Sequence, residues 1–139
     1  MASPITVLLL VISAAVVALL PPPCVADNVM YSGNQDGSTL PAGKSLTYGS
    51  YSLKMQKDCN LVLYDGNELI WQTGTTRKGN PGCSLSLLSN GGLVVSTAKS
   101  EVVWTGGQEG EESYYVLVLQ KDRNLVVYGG PRWATGTNA

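Results

Sequence analysis

Three stretches of this 139-residue chain repeat one another at a fixed interval. Tyr51 opens YSLKMQKDCNLVLY, Cys83 opens CSLSLLSNGGLVVS and Tyr115 opens YVLVLQKDRNLVVY, each start lying 32 residues after the one before. One tryptophan follows each stretch: Trp71 in IWQTGT, Trp104 in VWTGGQ and Trp133 in RWATGT, and the chain has no others. A unit of this size cannot bury its own apolar face, so three of them must close around a shared core.

Each repeat alternates with period two, the mark of a half-buried strand. In the first, Tyr51, Leu53 and Met55 share one face and Ser52, Lys54 and Gln56 the other. Residues 57–59 read as a turn, after which Leu61 and Leu63 are expected to point inward and Asn60, Val62 and Tyr64 outward. The inward set recurs as Leu85, Leu87, Leu93 and Val95, with Asn90-Gly91 as a turn signal, and again as Tyr115, Leu117, Leu119, Leu125 and Val127. Each repeat is therefore expected to be a hairpin followed by a short strand ending at its tryptophan. Glycine-rich polar clusters at 73–82 and 105–113 separate them. No segment has a helical period, so the expected class is all-β with pseudo-threefold organisation. The tryptophans are expected to meet in the core near the pseudo-axis; the competing role is that of sugar-stacking platforms on the surface.

The amino-terminal segment reads as a targeting signal. Residues 5–20 are almost unbrokenly apolar, and every charged side chain lies at or after Asp27. That run is shorter than the roughly 20 residues a membrane span needs. Cys24-Val25-Ala26 fits a small-residue cleavage site, so 1–26 are expected to be a secretory signal peptide that is removed, leaving a single domain over 27–139 with no membrane span. Cys24 leaves with the signal. Cys59 and Cys83 remain as an even pair in an oxidising compartment and are expected to form a disulfide, worth about 3 kcal/mol in the chain-entropy model. No Asn-x-Ser/Thr sequon is present.

Composition narrows the function. A formal net charge of −1 argues against a nucleic-acid surface, which needs a Lys/Arg excess. The absence of histidine excludes Ser–His and Cys–His nucleophile pairs and any His-ligated metal.

The outward face carries the functional signal. Gln56, Asp58, Asn60, Val62 and Tyr64 recur as Gln120, Asp122, Asn124, Val126 and Tyr128. The middle repeat has Leu88, Asn90, Gly92, Val94 and Ser96 instead, so folding does not require the polar set. Folding back at 57–59 brings Gln56 beside the strand that starts at Asn60. A carboxylate, two amides and a phenol then converge on a small apolar patch, offering the mixture of donors and acceptors that a polyhydroxylated ligand needs. A phosphate would call for cations or a helix N-terminus instead.

The pattern Q-x-D-x-N-x-V-x-Y in QKDCNLVLY and QKDRNLVVY resembles the mannose-binding motif of the monocot bulb lectins, the snowdrop-agglutinin-like family. The start DNVMYSG, the closing RWATGT and the Cys59–Cys83 spacing are similar to that family too, and the resemblance spans 27–139. It implies a plant source and a β-prism II fold of three pseudo-symmetric antiparallel four-stranded subdomains around a Trp-rich centre. It also implies that Asp58 and Asn60 hold the axial O2 of mannose, that Gln56 binds O3, that Tyr64 binds O4 and that Val62 touches the ring carbons. Asp122, Asn124, Gln120, Tyr128 and Val126 would repeat those roles. Two sites per chain are expected, because Leu88, Gly92 and Ser96 cannot replace the amides and the phenol. Residues 34–37 resemble an insertion in the family's N-terminal loop.

The expected protein is a secreted lectin, extracellular or vacuolar, that binds mannose-containing glycans and glycoproteins without cofactor or metal. A homodimer or homotetramer is expected, formed by exchange of the strand around 131–137, as the resemblance implies, and the role would be plant defence or storage. The alternative is a storage or taste-active member of the fold that binds no sugar. An enzyme is disfavoured, because a glycosidase needs two carboxylates flanking the bond and neither Asp58 nor Asp122 has a second acid positioned by sequence. A receptor-kinase ectodomain, which shares such folds, is disfavoured by the absence of a following span or kinase.

Overall fold

A computed structural model describes residues 27–33 and 38–129. Eleven strands follow in order: β1 (Val29–Tyr31), β2 (Thr39–Pro41), β3 (Ser45–Tyr48), β4 (Tyr51–Met55), β5 (Leu61–Asp65), β6 (Glu68–Gln72), β7 (Ser84–Leu87), β8 (Leu93–Ser96), β9 (Val102–Gly106), β10 (Val116–Leu119) and β11 (Leu125–Tyr128). No helix occurs among the described residues. The signal-peptide expectation for 1–26, the insertion at 34–37, Trp133 and the exchanged strand at 131–137 lie outside them.

The strands form three antiparallel sheets, ordered β3-β4-β5-β6, β2-β7-β8-β9 and β1-β10-β11. The expected hairpins are β4–β5, β7–β8 and β10–β11, and in the first two repeats the strand carrying the tryptophan follows as β6 or β9. Each sheet also gains a strand from upstream of the repeats. β3 joins the first sheet, β2 the second through Leu40↔Leu85, and β1 the third through Met30↔Leu117. Pro41 closes β2, an edge strand, where a missing N–H costs no ladder bond.

Period-two alternation places equivalent residues of the three repeats in one core. Leu53, Leu85 and Leu117 are fully buried; Met55, Leu87 and Leu119 one step along, and Leu61 and Leu93 in the returning strands, are buried with them. Trp71 and Trp104 lie on this inner face, since Trp71 is paired with Leu63 and Trp104 with Val95. Their ring centroids are 5.9 Å apart, edge to face, a favourable aromatic geometry. They line a central hollow together with Leu63, Leu93, Leu117 and Val127, so all three sheets contribute to it. Trp104 is half-buried, whereas Trp71 remains 39% exposed.

Candidate functional site

All three hairpins turn through the same loop. In the first, Gln56 N–H donates to the Asn60 carbonyl at 3.0 Å and Cys59 N–H to the Gln56 carbonyl at 3.2 Å, with Cys59 at φ 78°. In the third, Gln120 N–H donates to the Asn124 carbonyl at 2.9 Å and Arg123 N–H to the Gln120 carbonyl at 3.0 Å, with Arg123 at φ 72°. The middle hairpin closes identically between Leu88 and Gly92, with Gly91 at φ 85°. A three-residue loop whose last member is left-handed is a standard hairpin solution. Gln56 therefore returns beside Asn60, as the sequence suggests.

The acidic residue has a structural task. Asp58 Oδ1 accepts from Asn60 N–H at 3.0 Å, and Asp122 Oδ1 accepts from Asn124 N–H at 3.0 Å. In the middle repeat Asn90 Oδ1 makes the same bond to Gly92 N–H, also at 3.0 Å. Asn can replace Asp there because only a side-chain carbonyl is required for this turn. One member of the polar set thus serves folding in every repeat. A carboxylate has about four acceptor positions, which leaves acceptor capacity on Asp58 and Asp122 after the turn is made.

Gln56 and Tyr64 meet across the hairpin, Gln56 Nε2 donating to Tyr64 Oη at 3.0 Å. Gln120 and Tyr128 form the same pair in the third repeat. The phenol proton stays available in both cases, as does the glutamine side-chain oxygen.

Asn60 is held more firmly than any other member of the set. It is 5% exposed. Its side-chain oxygen accepts from the Thr73 hydroxyl at 3.1 Å, Gly74 N–H at 3.0 Å and Thr75 N–H at 3.3 Å. Its Nδ2 donates to Gln72 Oε1 at 2.8 Å, leaving one N–H. Thr73 Oγ1 also accepts from Leu61 N–H, and Thr75 Oγ1 donates to the Cys59 carbonyl at 2.7 Å. Gln72, Thr73 and Thr75 do not figure in the sequence reading, yet a signal for them exists. The triplet Thr73-Gly74-Thr75 recurs as Thr135-Gly136-Thr137 behind the repeat that keeps Asn124. Behind the middle repeat, where the asparagine has become Gly92, Trp104 is followed by Thr105-Gly106-Gly107-Gln108. The asparagine and the Thr-Gly-Thr part of its cradle are kept or lost together, whereas the Gln72 position holds Ala134 in the third repeat.

Val62 corrects an expectation. It lies on the outward side of β5, cross-strand from Lys54 and Gln72, but is only 1% exposed. Leu61, Val62 and Leu63 are all buried, so strict alternation fails there; Val62 is a short side chain set between the longer Lys54 and Gln72 of the two neighbouring strands. Val126 is half-buried and Asn124 exposed.

Cys59 and Cys83 are disulfide-bonded and fully buried, tying the first turn to the residue before β7. Among the described residues no group of three or more Cys, Asp or Glu could hold a metal ion.

No protein-family model matches the chain. The mannose-specific lectin of Galanthus nivalis is 44% identical over 130 residues, covering 94% of this chain and 80% of that one. The mannose-specific lectin of Aloe arborescens is 38% identical over 112 residues, covering 80% of this chain and 98% of that one. The snowdrop agglutinin solved in complex with methyl-α-D-mannoside superposes with a TM-score of 0.69 at 46% identity, over 81% of this chain and 98% of the other.

Proposed function

We propose, from the finding that this chain belongs to the monocot mannose-specific lectin family, that it binds mannose and high-mannose glycans through two sites per chain. One site comprises Gln56, Asp58, Asn60, Val62 and Tyr64, the other Gln120, Asp122, Asn124, Val126 and Tyr128. The observation that carries the reading is the Asn60 amide. Its oxygen is consumed internally, so its remaining N–H is a fixed donor beside an acceptor on Asp58. A fixed donor next to a fixed acceptor suits one hydroxyl, and the family's motif assigns that hydroxyl to the axial O2 of mannose. Glucose turns the hydroxyl elsewhere and leaves both groups unpaired, which costs affinity. Val62 contributes at most a floor, given its burial.

In this reading the three sheets form a β-prism II and the protein is a binding protein, not an enzyme. It is secreted after loss of 1–26 and works as a homodimer or homotetramer in plant defence or storage. A shallow site with four or five hydrogen bonds binds one sugar with a dissociation constant on the order of millimolar, about −4 kcal/mol. Several sites on one particle then raise avidity by roughly 10² to 10⁴ on a glycan-coated surface.

The test is retention of the purified protein on immobilised mannose, with elution by free mannose and then free glucose. Mannose-selective release supports the reading. Folded, disulfide-intact protein that flows through overturns it in favour of a non-binding storage protein.

A further inference from the structure

The two motif sites share five residue types but not their surroundings. Lys54 stands one strand position before the first motif, and its equivalent in the third repeat is Val118. Lys54 is exposed on the outward face of β4, between Ser52 and Gln56. It lines both surface hollows of the first site. One is formed with Gly43, Gln56, Lys57 and Asp58, the other with Ser52, Gln56, Tyr64, Gly66 and Asn67. The corresponding hollow of the third repeat has Val118, Gln120, Lys121 and Asp122, with Asn28 and Tyr48 on its far wall.

Charge therefore differs where the ligand would sit. At the first site two ammonium groups, Lys54 and Lys57, face one carboxylate, Asp58, which is already accepting from Asn60 N–H. At the third, one ammonium faces one carboxylate. Neither Lys54 nor Lys57 makes an ion pair among the described residues. Asp65, at the other end of the β4–β5 ladder, accepts from Ser50 Oγ at 2.8 Å and pairs with Arg123 at 3.6 Å. An unpaired ammonium beside Gln56 and Tyr64 can donate to a neutral hydroxyl, but its charge is used only by an anion. It is suited to an anion attached to a sugar.

We propose that the first site prefers a mannose residue carrying an anionic substituent, phosphate being the simplest, and that Lys54 is the residue that selects it. The inference rests on the mannose-binding reading above and adds the ligand class of one of its two sites. With O2, O3 and O4 taken by the motif, the substituent must be on O1 or O6. The third site, with Val118 at the same position, remains a site for neutral mannose.

The experiment isolates the first site with Asn124→Ala in the full chain. Mannose, α-mannose 1-phosphate, mannose 6-phosphate and glucose 6-phosphate are then titrated by calorimetry. One of the two mannose phosphates should bind about fivefold tighter than mannose at low salt, the gain expected of a single exposed charge pair near 4 Å. The advantage should disappear near 1 M salt, where the Debye length is about 3 Å. Lys54→Val should remove it, and Val118→Lys in an Asn60→Ala chain should create it at the third site. Equal binding of mannose and both its phosphates overturns the proposal while leaving the lectin reading intact. So does an advantage that survives Lys54→Val, or glucose 6-phosphate binding as tightly as the mannose phosphates. Failure of the unmutated protein to bind mannose at all would instead overturn the lectin reading, and this proposal with it.

Discussion

Asn60 donates through Nδ2 to Gln72 Oε1 at 2.8 Å, joining the first residue after the hairpin turn to the last residue of β6. The bond fixes which way the amide faces, and the three donors on its oxygen fix it again from the other side. In the proposed reading the residue is a structural part and a ligand donor at once.

Asn60→Asp keeps an acceptor for Thr73, Gly74 and Thr75 but removes the N–H that would face the sugar. Mannose stoichiometry by calorimetry should fall from two to one per chain, and the melting transition should fall as well, because a buried carboxylate then faces Gln72 Oε1 where the amide had donated. Asn60→Ala should lose the same site and also destabilise the fold by about 1–3 kcal/mol, because buried donors are left without a partner. Urea denaturation of the two variants measures the stability each loses alongside the site.

Thr73→Val removes a hydroxyl while keeping the shape of the side chain. The Leu61 N–H then loses its acceptor and the Asn60 oxygen one of its donors. Stability should drop by about 1–2 kcal/mol. Affinity should weaken at the first site alone, leaving a second, unaltered class of sites in the titration. Thr73 acts through Asn60, and Thr73→Ser, which keeps the hydroxyl, should restore most of the affinity.

Gly91→Ala tests the turn that carries no sugar motif. Gly91 has φ +85°, and an added Cβ would lie 2.8 Å from Tyr115 Cε1. A side chain is disfavoured by the backbone conformation and by the ring together, so a loss of about 1–3 kcal/mol is expected. Mannose stoichiometry should remain two. Gly66→Ala, at φ +58° with no neighbour within 4 Å, should cost less.

Replacing both Cys59 and Cys83 with alanine should cost about 2–4 kcal/mol. The loss should be read by denaturation with and without reductant, the variant being insensitive to it. Because Cys59 sits between Asp58 and Asn60, the first site should weaken more than the third.

Local features of the sequence were good guides where they repeat. Alternation at Leu53, Leu85 and Leu117 marks the core correctly, and the positions of the three hairpin turns follow from the 32-residue interval. Alternation failed at Val62, a short side chain set between the longer Lys54 and Gln72 of the two neighbouring strands. β1 and β2 escaped notice because three residues are too few to show a period, and their partners lie far along the chain. Asp58 was read from the motif as a ligand group, and its turn bond emerges only when Asn90 is seen making the same contact. The cradle around Asn60 was missed for a related reason: Thr73-Gly74-Thr75 looks like a linker until β6 brings it alongside the turn.

The placement of β1 has a consequence for synthesis. Its residue Val29 is paired with Val118, whereas β3 to β6 are contiguous and pair only with their sequence neighbours. On a ribosome adding about 5–20 residues per second, the partner of Val29 follows it by roughly 5–20 s. The first sheet has all its strands well before then. β1 must wait as an unsatisfied edge until β10 arrives, and the chain closes from its middle towards its two ends.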